Sequence, residues 1–167
     1  GLVVVVLVAC GGDNDGSAQP TERPADSSVV TLCEEPLPVA GEYEGLSETA
    51  STNGTYVPPY TVVVPESIDS TVPAPIYLHL ASGGGNRDGF LQSWRPYYAN
   101  TDVPGLMVVV GTNRSASSQS LLALIDQVSD AYCVDANRIH VMGTSSSASM
   151  AVNLACDGAD RIASYSS

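Results

Sequence analysis

The stretch RIHVMGTSSSASM, residues 138–150, decides the fold. An apolar, strand-like run ends at Gly143, three serines follow, and small residues lead into a helix-like segment. A strand that passes into a helix through so short a turn crowds it. The residues two before and two after the central one must be small, as in the pattern G-x-S-x-G. Gly143 meets the first condition, and Ser147 fills the second position at the expense of one hydroxymethyl group. This register selects Ser145 as the central residue and candidate nucleophile, with the strand ending at Gly143 and the helix starting at Ser146. A central Ser146 would put the β-branched Thr144 at a position that must be small. The backbone N–H of Ser146, at the helix N-terminus, is a candidate oxyanion donor. The plain alternative is a serine-rich helix cap, since Ser is a favoured N-cap residue.

The flanking sequence supplies the context such a turn needs. YTVVVPE (60–66) is a β-branched run stopped by Pro65. APIYLHLA (74–81) and GLMVVVG (105–111) are nearly continuous apolar runs, the pattern of strands buried on both faces. In SQSLLALIDQVSDAY (118–132), Leu121, Leu124, Ile125 and Val128 fall at helical spacing. Strand, amphipathic helix and strand make a right-handed crossover unit. A helix follows the serines and ends near Gly158, and RIASYSS (161–167) starts another strand. The expected class is α/β with a largely parallel sheet and flanking helices.

A second oxyanion donor is expected from a loop after an earlier strand. YLHLASGGGNRDGF (77–90) provides it, with Gly83, Gly84 and Gly85 allowing close backbone approach. The phosphate-cradle pattern G-x-x-x-x-G-K-[ST] does not occur. Only two histidines occur, His79 and His140. In this fold the chain order is Ser, acid, His, and both histidines precede Ser145, so neither is expected to be the general base. His140 is expected to be structural, within the strand beneath the turn, and His79 to brace the loop backbone.

Residues 33–167 resemble the N-terminal half of the secreted polyhydroxybutyrate depolymerase/feruloyl esterase-like family of α/β-hydrolases. The pieces that carry the resemblance are CEEPLP (33–38), YTVVVPESID (60–69), PAPIYLHLASGGGNRDGF (73–90) and the long stretch LLALIDQVSDAYCVDANRIHVMGTSSSASMAVNLACDGADRIAS (121–164). Within the last, the frame D-x-x-R-I-x-V-x-G-x-S (135–145), with LAC and ADRIA downstream, is more specific than the turn alone. The chain departs from the family at Leu80 after the loop histidine and at Ser147, where Gly is usual in both places. It also departs in the short TNRSASSQ connection (112–119). The resemblance implies an α/β-hydrolase fold, incomplete at the C-terminus, with the acid and histidine of a triad beyond residue 167. It implies attack by Ser145 on an ester carbonyl, with backbone donors from Ser146 and from Leu80 or Ala81, and no metal or organic cofactor. Feruloylated or acetylated polysaccharide and polyhydroxyalkanoate-type polyesters are the implied substrates. The 167 residues alone are expected to be inactive. A non-catalytic surface lipoprotein of the same fold, binding carbohydrate or polyester, is the alternative; a peptidase of the fold is a third.

The N-terminal segment GLVVVVLVAC (1–10) is too short to span a bilayer. Leu7-Val8-Ala9-Cys10 resembles a bacterial lipobox, with Cys10 as the acylated residue. The polar Gly-, Ser- and Asp-rich segment 11–28 reads as a flexible tether to a domain at 29–167. These features predict export and a lipid anchor, on the cell envelope or surface. A formal net charge of -12, with every basic residue an arginine, argues against a nucleic-acid partner. In an exported protein, Cys33, Cys133 and Cys156 favour disulfide chemistry. The strand 138–143 climbs roughly 20 Å and the helix 146–156 descends about 15 Å. Both Cys133 and Cys156 should then lie at the bottom of the sheet, so a Cys133–Cys156 bridge is expected, with the partner of Cys33 beyond the chain's end.

Overall fold

A six-stranded sheet forms the centre of the molecule in the computed structural model, which describes residues 32–45, 55–82, 86–98, 104–112 and 116–167. In chain order the elements are β1 (Gly41–Gly45), β2 (Tyr60–Val64), β3 (Ala74–Ala81), α1 (Arg87–Tyr98), β4 (Leu106–Gly111), α2 (Ser118–Ala131), β5 (Val134–Gly143), α3 (Ala148–Asp157) and β6 (Ile162–Ser166). Their order across the sheet is β1-β2-β4-β3-β5-β6. β1 pairs antiparallel with β2, and β2 antiparallel with β4. The β4-β3-β5-β6 part is parallel throughout. This mixed, mostly parallel sheet with helices on both faces is the α/β-hydrolase architecture.

The apolar runs become strands because each places large side chains on both faces. Leu78 and Leu80 of β3, Val108 and Val110 of β4, and Ile139 and Val141 of β5 pack with Leu121, Leu124, Ile125 and Val128 of α2 and Ala151 and Leu154 of α3. Full burial of one such leucine contributes about 2 kcal/mol. On the opposite face Ala81 and Val109 meet Leu91 and Tyr98 of α1, with Phe90 and Trp94 beside them. α2 starts at a reciprocal cap: the Ser120 N–H donates to Ser117 Oγ at 3.2 Å, and the Ser117 N–H donates to Ser120 Oγ at 2.7 Å.

Two elements went unread in the sequence. β1, GEYEG, carries a single apolar residue, Tyr43, which packs on the main core. Its two glutamates hold α1 instead: Glu42 pairs with Arg95 at 2.5 Å and Glu44 with Arg87 at 2.7 Å. α1 contains Gly89 and Pro96 and buries only Leu91 and Tyr98, so its helical period is faint. β5 begins at Val134 rather than at 138, because Val134 pairs with Ala74 at the foot of β3.

The expected Cys133–Cys156 bridge is not formed. Cys133 is bonded to Cys33, with Cα atoms 5.7 Å apart. The cause lies in the leading segment. The Cys33 N–H donates to Thr71 O at 3.0 Å and the Leu37 N–H to Ser70 O at 3.1 Å, while the Ala74 N–H donates to Cys133 O at 2.9 Å. Residues 33–37 are thus drawn beneath the foot of β3, next to Cys133. Cys156, on α3, takes no part in this bond. Nor does Cys33 await a partner past residue 167. Cys10, the lipobox and the tether at 11–28 lie outside the described residues.

The Cys33–Cys133 bond closes a separation of 100 residues, for which the chain-entropy model gives about 4.7 kcal/mol. Replacing both cysteines by alanine is expected to lower the unfolding free energy in urea by up to about 5 kcal/mol. A non-reducing peptide map should join Cys33 to Cys133, and a map that joins Cys133 to Cys156 would refute the assignment.

Candidate active site

Ser145 is the sole non-glycine residue with positive φ among the described residues, at 54°. Such a conformation costs a non-glycine residue on the order of 1–3 kcal/mol and persists only where its surroundings impose it. The surroundings are visible. Gly143 ends β5 against the turn, and a Cβ built there would overlap Ser147 O and lie 2.8 Å from the Ala151 Cβ. Only glycine lets the strand end pass this close to the following turn. Ser145–Ser147 form a single 3-10 turn before α3 begins at Ala148, so the helix starts later than the sequence suggests. The Ser147 N–H donates to Thr144 O at 3.1 Å, closing the tighter ring of that turn. Thr144, Ser145 and Ser146 are exposed, whereas Ser147 is 1 % exposed.

The turn stands at the C-terminal end of the parallel strands. Gly143 is in register with Leu80, which is itself in register with Val110 of β4. Ser147 Oγ lies 2.7 Å from Leu80 O and accepts the Thr144 N–H at 3.1 Å. Leu80 is therefore brought directly beside the turn. Ala81 follows as the last residue of β3, its carbonyl accepting from Thr112 Oγ1 at 2.6 Å. Both candidate loop donors lie within β3, and Gly83, Gly84 and Gly85 lie outside the described residues. Ser146 is the middle residue of the turn, one residue after Ser145 and ahead of the positive end of α3.

Neither histidine bonds Ser145 among the described residues. His140 Nδ1 lies 2.8 Å from Ser164 Oγ, and the ring stacks on Tyr77 at 5.2 Å. Burial, then the Arg138 charge, lower its pKa. His79 is 6 % exposed and packs against Phe90, Trp94 and Tyr98, with ring centroids 5.9, 6.2 and 5.8 Å away. Its Nδ1 and the Tyr98 hydroxyl have no hydrogen-bond partner among the described residues. Burial holds the imidazole down at about 4, and so neutral at physiological pH. His79 therefore lies in the strand, under α1, rather than in the loop that follows. No group of three or more metal-ligating side chains occurs among the described residues.

No protein-family model matches the chain, and no curated protein sequence does. Solved structures do. The chain is similar to an acetyl xylan esterase from Aspergillus awamori, with a TM-score of 0.59 and 16% identity over 75% of this chain and 50% of that one. It is similar to FphF, a fluorophosphonate-binding serine hydrolase of Staphylococcus aureus, with a TM-score of 0.57 and 15% identity over 77% of this chain and 56% of that one. An arylesterase gives a TM-score of 0.56 and 12% identity, covering 77% of this chain and 44% of that one. The chain thus spans about half the length of the solved structures it resembles, and the shared property is the α/β-hydrolase fold.

The buried His79 makes stability depend on pH. Its folded pKa, about 4, lies below the ordinary 6.5. Above 6.5 both folded and unfolded states are neutral there, and the full stability is present. As pH falls from 6.5 toward 4 the unfolded state takes up a proton and the folded state does not, so stability is lost. Between pH 7.5 and 4 this group should remove about 3 kcal/mol. In urea unfolding, wild type should lose about 3 kcal/mol more than His79→Phe across that range. Parallel curves would show that His79 is not held neutral.

Proposed function

We propose that the chain is the nucleophile-bearing part of a serine ester hydrolase. The observation that carries the proposal is Ser145: exposed, held at a φ of 54° between β5 and α3, at the C-terminal edge of an α/β-hydrolase sheet. In this reading Ser145 Oγ attacks the ester carbonyl carbon while a base takes its proton. The carbonyl oxygen becomes an oxyanion, and its collapse expels the alcohol and leaves an acyl-enzyme that water hydrolyses. The backbone N–H of Ser146 and a second amide at the end of β3, at Leu80 or Ala81, receive the oxyanion. The acid and histidine belong to chain following residue 167, since His79 is enclosed by aromatics and His140 is engaged with Ser164.

The proposed substrates are carboxylic esters of the feruloyl or acetyl polysaccharide or polyhydroxyalkanoate type. They follow from the resemblance of residues 33–167 to the polyhydroxybutyrate depolymerase/feruloyl esterase-like family, and the name of one structural neighbour, an acetyl xylan esterase, is consistent with them. Export and lipid attachment through Cys10 form part of the proposal and rest on Leu7-Val8-Ala9-Cys10 and the polar segment after it. A second reading, a non-catalytic module that binds carbohydrate or polyester, rests on the departures from glycine at Leu80 and Ser147.

In the whole polypeptide that carries this sequence, Ser145→Ala should lower kcat on p-nitrophenyl esters by roughly 10⁴-fold or more. Ser146→Ala should lower it by less than about tenfold, because the role of Ser146 is its main-chain N–H. The opposite ranking would place the nucleophile one residue later. Equal turnover by wild type and Ser145→Ala would favour the binding module.

A further inference from the structure

The geometry points to Ser147 as a positioning residue, whose hydroxyl ties the turn that carries Ser145 to the end of β3. The inference rests on the ester-hydrolase reading. The pattern G-x-S-x-G asks only that this position be small, and glycine satisfies it. Here the side chain is turned inward and is 1 % exposed. A serine hydroxyl offers one proton and two lone pairs. One lone pair accepts the Thr144 N–H at 3.1 Å, and the proton is directed to Leu80 O at 2.7 Å or to Thr144 O at 2.9 Å. The Leu80 bond is buried and joins residues 67 apart in sequence.

This bond lies where the two halves of the proposed site meet. Leu80 is already in register with Gly143 on β5. The hydroxyl adds a link from the far side of the turn to the same residue, so that Gly143, Ser145 and Leu80 are fixed as one unit. Ala81 follows Leu80 as the last residue of β3. A donor at Leu80 or Ala81 is set at a fixed distance from Ser145 only if strand end and turn do not slide past each other. A misplacement of about 1 Å is enough to cost roughly 10²-fold in rate. Glycine at this position would keep the turn and lose the link. Ser147 therefore supplies something the usual residue does not.

The test uses Ser147→Ala and Ser147→Gly in the whole polypeptide, both small enough for the turn. Each is expected to lower kcat on a soluble p-nitrophenyl ester by about tenfold, with KM within about twofold, as loss of positioning rather than of binding requires. The Thr144 amide should exchange with solvent about tenfold faster than in wild type, while the amide of Val141, deeper in β5, keeps its rate. Wild-type kcat in both variants would make Ser147 a space-filler and overturn the inference. Faster exchange throughout β3 and β5 would mean general loosening and would overturn it too. A wild-type protein without Ser145-dependent turnover overturns the ester-hydrolase reading instead. That failure is distinguishable, because unchanged Thr144 exchange in Ser147→Ala would show on its own that the Ser147 hydroxyl does not hold the turn.

Discussion

The left-handed backbone of Ser145 is held by the packing of two residues on either side of it. Gly143 has no Cβ, so the carbonyl of Ser147 can lie against the end of β5. Ser147 in turn buries its hydroxyl against Leu80. A side chain at position 143 would push that carbonyl away and let the turn relax toward an ordinary helix N-terminus, where a serine caps rather than projects. The cost of the positive φ, on the order of 1–3 kcal/mol, is offset by tertiary packing that the turn could not supply alone.

That packing depends on the sheet beneath. β3 and β5 are adjacent and parallel, and their register puts Leu80 opposite Gly143 at the top and Ala74 opposite Val134 at the foot. The foot is fastened by Cys33–Cys133 and by the Ala74 N–H bonded to Cys133 O. The top is fastened by Ser147 to Leu80. Slippage of one residue between the two strands would invert every side chain of the slipped strand and is opposed along its whole length. Ion pairs of the four described arginines, Arg87, Arg95, Arg138 and Arg161, lie at the periphery. Exposed pairs of this kind contribute about 0–1 kcal/mol each.

The central strands, α2 and the turn were legible because their residues answer to local rules. β-branched and leucine runs mark strands buried on both faces, helical spacing marks α2, and a small-x-Ser-x-small frame marks the turn. What was not legible depends on partners distant in sequence. GEYEG is a strand because its backbone pairs antiparallel with β2, Gly41 opposite Val64 through Gly45 opposite Tyr60, while its glutamates add peripheral ion pairs to α1. The cysteine pairing followed from hydrogen bonds of residues 33 and 37 to 71 and 70, which no spacing rule reports. The cysteine in CEEPLP, just after the tether, was the one available signal for it. His79 falls within the strand read at 74–81, but only the fold shows that α1 covers it, with Phe90, Trp94 and Tyr98 around its ring. At Ser147 the sequence shows a departure from glycine, and only the fold shows that the added hydroxyl reaches β3.

The central claim, that Ser145 is the nucleophile, is tested most directly by the crystal structure of the whole polypeptide after reaction with a fluorophosphonate. Such a reagent loses fluoride to an activated serine and leaves phosphorus bonded to its oxygen. The account predicts phosphorus on Ser145 Oγ, with the phosphonyl oxygen within hydrogen-bond distance, about 2.7–3.1 Å, of the Ser146 N–H. Phosphorus on Ser146, on Ser147 or on a serine outside the turn would contradict it.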